Sequence, residues 1–232
     1  MKTQYLPLAL IAIAGTGCSA LTPHGATMTQ TAQKATTPGQ ALKKLKEGNE
    51  RFVSGKPLKR NYLAQVNETS KGQYPYASVV SCLDSRTSTE LIFDQGIGDV
   101  FNARVAGNIV NPDILGSLEF ASKAAGSKLV VVVGHTSCGA VKGACDHVEL
   151  GNLTGLLNKI EPAVAATPSV GGTDRSSKNG EFVDAAAKQN VRTAMANIRR
   201  NSPILRQMEK EGQIQIVGGM HDITTGNVTF FN

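Results

Sequence analysis

The fold is decided by two stretches of sequence, ASVVSCLDSR at residues 77–86 and LVVVVGHTSCG at residues 129–139. Each begins with a short apolar, β-branched run and ends in polar residues or glycine, which is typical of a buried parallel strand. Ligands of open α/β sheets gather at the carboxyl ends of such strands. We therefore expect the side chains that follow the two runs to meet at one edge of a sheet.

The residues delivered to that edge include two thiols and one imidazole, from Cys82, Cys138 and His135. Taken singly, each is ordinary, because a strand-end cysteine is usually a small buried hydrophobe and a lone histidine is usually hydrogen-bonded. Together they form a three-protein-ligand zinc set, which leaves the fourth tetrahedral position open. An open position indicates a catalytic rather than a structural zinc.

A charged pair accompanies the first cysteine. Asp84 lies two residues after Cys82, and Arg86 two residues further. Residues two apart in an extended segment point the same way, so carboxylate and guanidinium can form a bidentate pair. The alternative interpretation is a salt bridge with a purely structural role.

The motifs Cys-x-Asp-x-Arg at 82–86 and His-x-x-Cys at 135–138 resemble those of the β-class carbonic anhydrases, from about Gly48 to the C-terminus. The resemblance implies a zinc enzyme that interconverts carbon dioxide and bicarbonate. It gives Asp84 two roles. Held by Arg86, the carboxylate orients the attacking oxygen; released, it occupies the fourth position on zinc and blocks catalysis.

The resemblance also implies a substrate pocket. The family has a glutamine nine residues before the first cysteine, here Gln73, and an aromatic residue nineteen after it, here Phe101. A second aromatic, usually Tyr, is here Phe120, and both phenylalanines also suit an ordinary core. In the family these side chains come from the partner subunit, which implies a homodimer or a dimer of dimers. The backbone N–H of Gly139, at a predicted helix start, is a candidate bicarbonate donor.

One subset of the family has a second bicarbonate pocket that favours the blocked state. That pocket has a Trp three residues before the first cysteine, an Arg twenty-two after it and a distant Tyr. Arg104 matches the second position, although an arginine alone also suits an ordinary ion pair, but the first position is Val79 and the chain has no Trp. The sequence therefore predicts that the second pocket does not form and that Asp84 pairs with Arg86.

Two other functions fit the same residues. An enzyme of the same fold that acts on carbon disulfide or carbonyl sulfide would carry identical motifs, since those molecules are linear like carbon dioxide. A non-catalytic zinc module or thiol redox sensor is the alternative from another class. Asp84 and Arg86 count against it, because a closed structural site has no use for an oriented carboxylate.

The remaining pattern predicts an α/β fold with a mainly parallel sheet of about four strands, flanked by helices. Thr225-Gly226-Asn227 predicts a turn that adds a C-terminal antiparallel edge strand. The predicted strands are 76–83, 99–105, 129–134, 213–220 and 227–231. The predicted helices are 38–54, 61–70, 87–93, 112–125, 138–147, 152–166, 181–200 and 204–210.

The first residues predict export. Lys2 precedes an apolar run at 6–14 that is too short to span a bilayer, and small residues follow, so 1–20 has the pattern of a signal peptide. Cys18 also fits a lipidated bacterial lipoprotein end, although Gly15 departs from that pattern; cleavage after Ala20 is the alternative. In both cases we expect a periplasmic protein. Lipid on Cys18 would anchor it to a membrane, whereas cleavage after Ala20 would leave it without an anchor.

Residues 21–37 are rich in Thr, Gln and Ala, show no period and predict a flexible tether. Residues 38–232 then form the catalytic domain. The net charge is +6, but the basic residues are spread along the chain and do not predict a nucleic-acid surface. The remaining thiol, Cys145, is expected to be a small buried residue.

Overall fold

A computed structural model describes residues 25–232, which form one five-stranded sheet with helices on both faces. The order of the strands is β2-β1-β3-β4-β5; the first four are parallel and β5 is antiparallel to β4. This confirms the predicted fold class and the C-terminal hairpin. The strands are β1 (Ala77–Ser81), β2 (Val100–Arg104), β3 (Leu129–His135), β4 (Gln215–His221) and β5 (Val228–Phe231).

Ten helices of the described residues surround the sheet. They are α1 (Gln30–Ala35), α2 (Pro38–Val53), α3 (Tyr62–Thr69), α4 (Thr89–Ile92), α5 (Pro112–Glu119), α6 (Gly139–Cys145), α7 (Gly151–Leu157), α8 (Glu161–Ala166), α9 (Gly180–Asn201) and α10 (Pro203–Lys210). Helix starts follow local chemistry: Thr37 forms a capping box with Gln40 before Pro38, and Asn111 accepts a hydrogen bond from the Ile114 N–H.

The core lies on both faces of β1 and β3, whose residues are all buried. Alternate strand residues point to opposite faces. Val79 and Val131 pack in the cluster that contains Leu45 of α2, whereas Val130 packs with Ile198 of α9. The two central strands are therefore buried on both faces, and most of their chemically active side chains lie at or after the carboxyl ends.

Two predicted helices differ from the structure. The helix predicted at 152–166 is interrupted, and α8 begins anew at Glu161 with Pro162 in its first turn. Proline has no N–H for an internal helical hydrogen bond, so it is placed at a helix start. The helix predicted at 112–125 is α5 followed by a π-helical turn, Phe120–Ala124.

The predicted tether is wrong for the part of it that the structure describes. Gln33 of α1 is 4% exposed, and its Nε2 donates to the backbone oxygens of Pro75 and Ala125, both at 2.8 Å. The amide of Gln33 thus donates to two backbone carbonyls from separate segments of the chain and anchors α1 to both. The composition of residues 21–37 indicated an unstructured segment. The hydrogen bonds of Gln33 could not be predicted from it, because they join residues 42 and 92 positions apart.

Replacing Gln33 with Ala is expected to lower the free energy of unfolding by about 2 kcal/mol, because two buried carbonyls lose their donor. Urea unfolding measures the change. Lys34→Ala, at an exposed position of the same helix, is the matched control and should stay within about 0.5 kcal/mol of the unmodified protein. Equal stability of the two variants would show that α1 is not anchored through Gln33.

The predicted signal peptide and its Cys18 lie outside the described residues. Between residues 25 and 232, no helix combines the length and the apolar character needed to cross a bilayer.

Candidate metal centre and active site

Three ligating side chains meet at the carboxyl edge of the sheet, as the sequence predicts. Cys82 follows the last residue of β1, His135 ends β3, and Cys138 immediately precedes α6. All three are buried, and one ligand atom from each lies within 4.8 Å of the others. The two sulfurs are 4.0 Å apart. Two sulfurs and one imidazole nitrogen at these distances form a compact group that could hold one metal ion.

The imidazole of His135 is oriented for metal binding. Its Nδ1 lies 2.9 Å from the carbonyl oxygen of Thr136. A carbonyl oxygen only accepts, so Nδ1 carries the hydrogen and Nε2 keeps its lone pair. Nε2 is buried and has no hydrogen-bond partner within the described part of the chain. A buried acceptor without a donor is what a metal ligand requires.

The two sulfurs lie within hydrogen-bond distance. The contact with Cys138 lowers the pKa of Cys82, and the N–H of Gly107, which donates to the Cys82 sulfur at 3.4 Å, acts in the same direction. The pKa of Cys138 is raised because the same hydrogen bond holds its proton and burial adds to the effect. A divalent cation binds both sulfurs as thiolates and releases that proton. The donor set therefore fits zinc.

The carboxylate of Asp84 borders the ligand group and is held by Arg86. The guanidinium donates from Nε and Nη2 at 2.9 and 2.7 Å, and the Arg86 backbone N–H donates at 2.9 Å. These hydrogen bonds hold the pKa of Asp84 well below its usual range, so the carboxylate stays ionised. Its Oδ2 lies 3.9 Å from Nε2 of His135. The predicted pair is present.

Arg104 matches the arginine of the family's second bicarbonate pocket by spacing, but the sequence assigned it no role at the metal centre. It ends β2, and its guanidinium donates to the backbone oxygens of Cys82 at 3.1 Å and Asp84 at 2.6 Å. The contact fixes the backbone that carries Cys82 and the carboxylate. These backbone partners are visible only in the structure, because β2 and the end of β1 meet through the sheet.

His221 of β4 lies beside His135 in the register of the sheet and is 3% exposed. Burial, followed by the neighbouring His135, lowers its pKa. His147, in contrast, is exposed and pairs with Glu161 at 3.3 Å. Neither histidine belongs to a motif of the sequence, and of the two the structure brings only His221 beside the candidate ligands.

The predicted pocket residues do not gather around the ligands of their own chain. Phe101 and Phe120 pack edge to face, 6.3 Å between ring centroids, in an open groove of about 860 Å³ that none of the three ligand residues lines. Gln73 is exposed and precedes β1, whereas Cys82 follows that strand. Gly139 is the first residue of α6, directly after Cys138, with open space beside its Cα.

The sequence profile of the carbonic anhydrases matches residues 77–228, which include all three ligating residues. The chain is 37% identical over 193 residues to carbonic anhydrase 2 of Mycobacterium tuberculosis, covering 82% of this chain and 91% of that protein. The chain belongs to the carbonic anhydrase family. The carbonic anhydrase of Mycolicibacterium smegmatis is 35% identical over 193 residues and is covered to 92%. Carbon dioxide hydration is the general activity of the family, and this protein is a carbonic anhydrase.

Solved structures assign the β class. The β-carbonic anhydrase CcaA superposes with a TM-score of 0.65 at 25% identity, over 82% of this chain and 87% of that one. A tetrameric β-carbonic anhydrase of Sordaria macrospora superposes with a TM-score of 0.62 at 25% identity, over 74% and 90% of the two chains. The central sheet and its flanking helices are thus those of β-carbonic anhydrases.

Proposed function

We propose that this enzyme uses zinc, held by Cys82, His135 and Cys138, to convert carbon dioxide and water reversibly into bicarbonate and a proton. The observation that carries the proposal is the buried ligand triad with the ionised Asp84 at its border. A metal site of this kind beside an oriented carboxylate suits hydration better than a closed structural role.

Zinc, when bound, would supply a Lewis acid that makes water easier to ionise, although two thiolate ligands would lower that effect relative to three histidines. The chain's own residues do the orienting. Asp84, ionised and held by Arg86, only accepts hydrogen bonds, so it fixes the direction of an attacking water's O–H. Thr136 keeps the proton of His135 on Nδ1, and the Gly139 N–H is available to an oxygen of bicarbonate.

Stopped-flow carbon dioxide hydration, with zinc counted per chain, tests the proposal. We expect about one zinc per chain and rapid hydration. Sulfide release from carbon disulfide or carbonyl sulfide without hydration would instead assign the related hydrolase activity. Full zinc with neither activity, in protein of normal oligomeric state, would assign a non-catalytic zinc module.

We further propose a homodimer, alone or paired into a tetramer, in which Gln73, Phe101 and Phe120 complete the partner's site. Three observations support it: those residues lie away from their own ligands, β2 is an edge strand, and Phe120 is 57% exposed. Other exposed apolar residues of the segments beside β2 are Tyr62, Leu63, Val66, Leu91 and Ile97. The Sordaria relative is itself tetrameric.

Mixed dimers test this sharing of sites. A Cys138→Ser chain lacks a ligand and a Gln73→Ala chain lacks the amide, so each homodimer should be nearly inactive. In the mixed dimer, one site combines intact ligands with an intact glutamine, and about half of the native activity should return. No recovery, with mixed dimers verified by mass, would place Gln73 in its own chain's site or outside catalysis.

Activity is expected to rise smoothly with pH, as a single ionisation, and added bicarbonate should act only as product. The lowered pKa of Asp84 keeps its pair with Arg86 intact through the neutral range, and Val79 replaces the indole of the second bicarbonate pocket. The measurement is a pH–rate profile with and without bicarbonate. A cooperative loss of rate below about pH 8, steeper than one ionisation, would contradict it.

Export remains part of the proposal, supported by the charged start, the apolar run at 6–14 and the small residues before Cys18. Mass spectrometry of protein from its native membrane and periplasmic fractions tests it. The expected mature chain begins at a diacylglyceryl Cys18 or near Leu21; an intact Met1 would contradict export.

A further inference from the structure

Helix α9 contacts the loop between His135 and Cys138 and also the turn after β2, whose Gly107 N–H reaches the Cys82 sulfur. Near its start, Asp184 Oδ1 accepts a hydrogen bond from the Ser137 N–H at 2.7 Å. Further along, Asn190 Nδ2 donates to the carbonyl oxygen of Gly107 at 2.6 Å, and Asn190 is 2% exposed. The two side chains are six residues apart, about 9 Å along the helix axis. One rigid element thus spans the two halves of the ligand set.

The Gly107 contact leads directly to a ligand atom. The Gly107 N–H donates to the sulfur of Cys82 at 3.4 Å, while Asn190 holds the carbonyl of the same residue. Gly107 has φ of 65°, and an added Cβ would lie 2.4 Å from Ile160 Cδ1, so only glycine fits here. Glycine has the weakest backbone preference of any residue. Its N–H is therefore aimed at the sulfur by what surrounds it, and Asn190 is the hydrogen-bond partner that does so.

The Ser137 contact acts on the other ligands. Ser137 lies between His135 and Cys138 and has φ of 53°, a conformation that residues with a side chain rarely adopt. A backbone of this kind persists when its surroundings fix it. The Asp184 carboxylate binds the Ser137 N–H and so fixes the turn that separates the imidazole from the second sulfur.

We propose that Asn190 and Asp184 are positioning residues of the metal centre, a proposal that rests on zinc binding by Cys82, His135 and Cys138. Asn190 sets the N–H···S hydrogen bond to Cys82, which withdraws charge from the thiolate and lowers its donation to the metal. Asp184 sets the distance between His135 and Cys138. Partners of this kind, one contact beyond the ligands, change metal affinity or activity about 10–100-fold when removed.

The test uses Asn190→Leu, which removes the donor at similar size, and Asp184→Ala, which removes the acceptor at a partly exposed position. Asp184→Asn keeps an acceptor oxygen and is the rescue variant. Met195→Ala is the matched control, because Met195 is buried in the core on the same helix, away from the ligands. The readouts are zinc affinity by chelator competition, the thiolate-to-cobalt charge-transfer band of the Co(II)-substituted protein, kcat with KM, and the melting temperature.

We expect Asn190→Leu to lower kcat about 10-fold, because a more strongly donating thiolate makes the metal a weaker Lewis acid, and Asp184→Ala to weaken zinc binding about 10-fold, with KM little changed in both. The cobalt band of Asn190→Leu should move to lower energy, because a thiolate without its hydrogen bond is easier to oxidise. Asp184→Asn should recover most of the loss. Met195→Ala should lower the melting temperature and leave both the cobalt band and the zinc affinity unchanged.

A native cobalt band and native zinc affinity in both Asn190→Leu and Asp184→Ala would overturn the proposal and leave the two residues a purely structural role. Equal spectral change in Met195→Ala would overturn it as well. The cobalt spectrum and zinc affinity do not depend on turnover. A native protein that binds zinc without hydrating carbon dioxide would therefore refute the proposed activity. The cobalt spectra and zinc affinities of the variants would still test whether Asn190 and Asp184 position the metal ligands.

Discussion

Replacing Cys138 with Ser is expected to remove zinc and carbonic anhydrase activity together. The serine hydroxyl stays protonated at neutral pH, so it cannot replace a thiolate, and only Cys82 and His135 remain as ligands. The activity should fall by more than the roughly 100-fold that loss of an outer-shell partner costs at most. Metal analysis of the purified variant and stopped-flow hydration measure the two quantities on the same sample.

The matched control is Cys145→Ser, because Cys145 is also buried but does not belong to the ligand group. It should keep its zinc and its hydration rate. The comparison separates loss of a ligand from loss of a buried thiol. Full zinc and full activity in Cys138→Ser would exclude Cys138 as a ligand.

Replacing Arg86 with Ala is expected to lower hydration about 100-fold while zinc stays bound. Arg86 is not one of the ligand residues, so the metal keeps its three protein donors. Asp84 loses the two guanidinium hydrogen bonds that hold it. The pKa of Asp84 then moves up towards its ordinary value, which is still acidic, so the carboxylate remains charged and free to bind the metal itself.

Arg86→Lys provides a graded comparison, because lysine keeps the charge but has no planar fork for a bidentate pair. Its activity should lie between those of Arg86→Ala and the native protein. Arg200→Ala, at an exposed position on α9, is the control for loss of a surface cation. Normal rates in Arg86→Ala, with a crystal structure showing water rather than Asp84 on zinc, would remove the pair from the mechanism.

The candidate ligands were predictable because each lies at or just after the end of a strand with a clear pattern. Leu129–His135 contains four consecutive valines and is buried along its whole length. Parallel strands bring their carboxyl ends to one edge, so Cys82 and His135 had to be neighbours once both runs were strands. The Asp84–Arg86 pair follows from the spacing of two residues within an extended segment.

Other features depend on partners far away along the chain. Nothing near Gln33 indicates that its amide binds Pro75 and Ala125, so residues 30–35 looked like part of a tether. The contacts that Arg104 and α9 make at the metal centre are likewise tertiary. Patterns in one sequence relate residues along a single element, whereas these contacts join separate elements.

The sequence by itself determined the α/β class, the candidate ligand triad, the charged pair and the family that they resemble, because those properties are encoded in strand periodicity and short motifs. Only the tertiary structure decided which nitrogen of His135 is free to bind a metal, which donor reaches the Cys82 sulfur, and that Phe101 and Phe120 lie away from the triad of their own chain. The physical reason is that hydrogen-bond direction and side-chain proximity depend on how distant segments pack, to within a few tenths of an ångström, and residue spacing along a chain does not specify that.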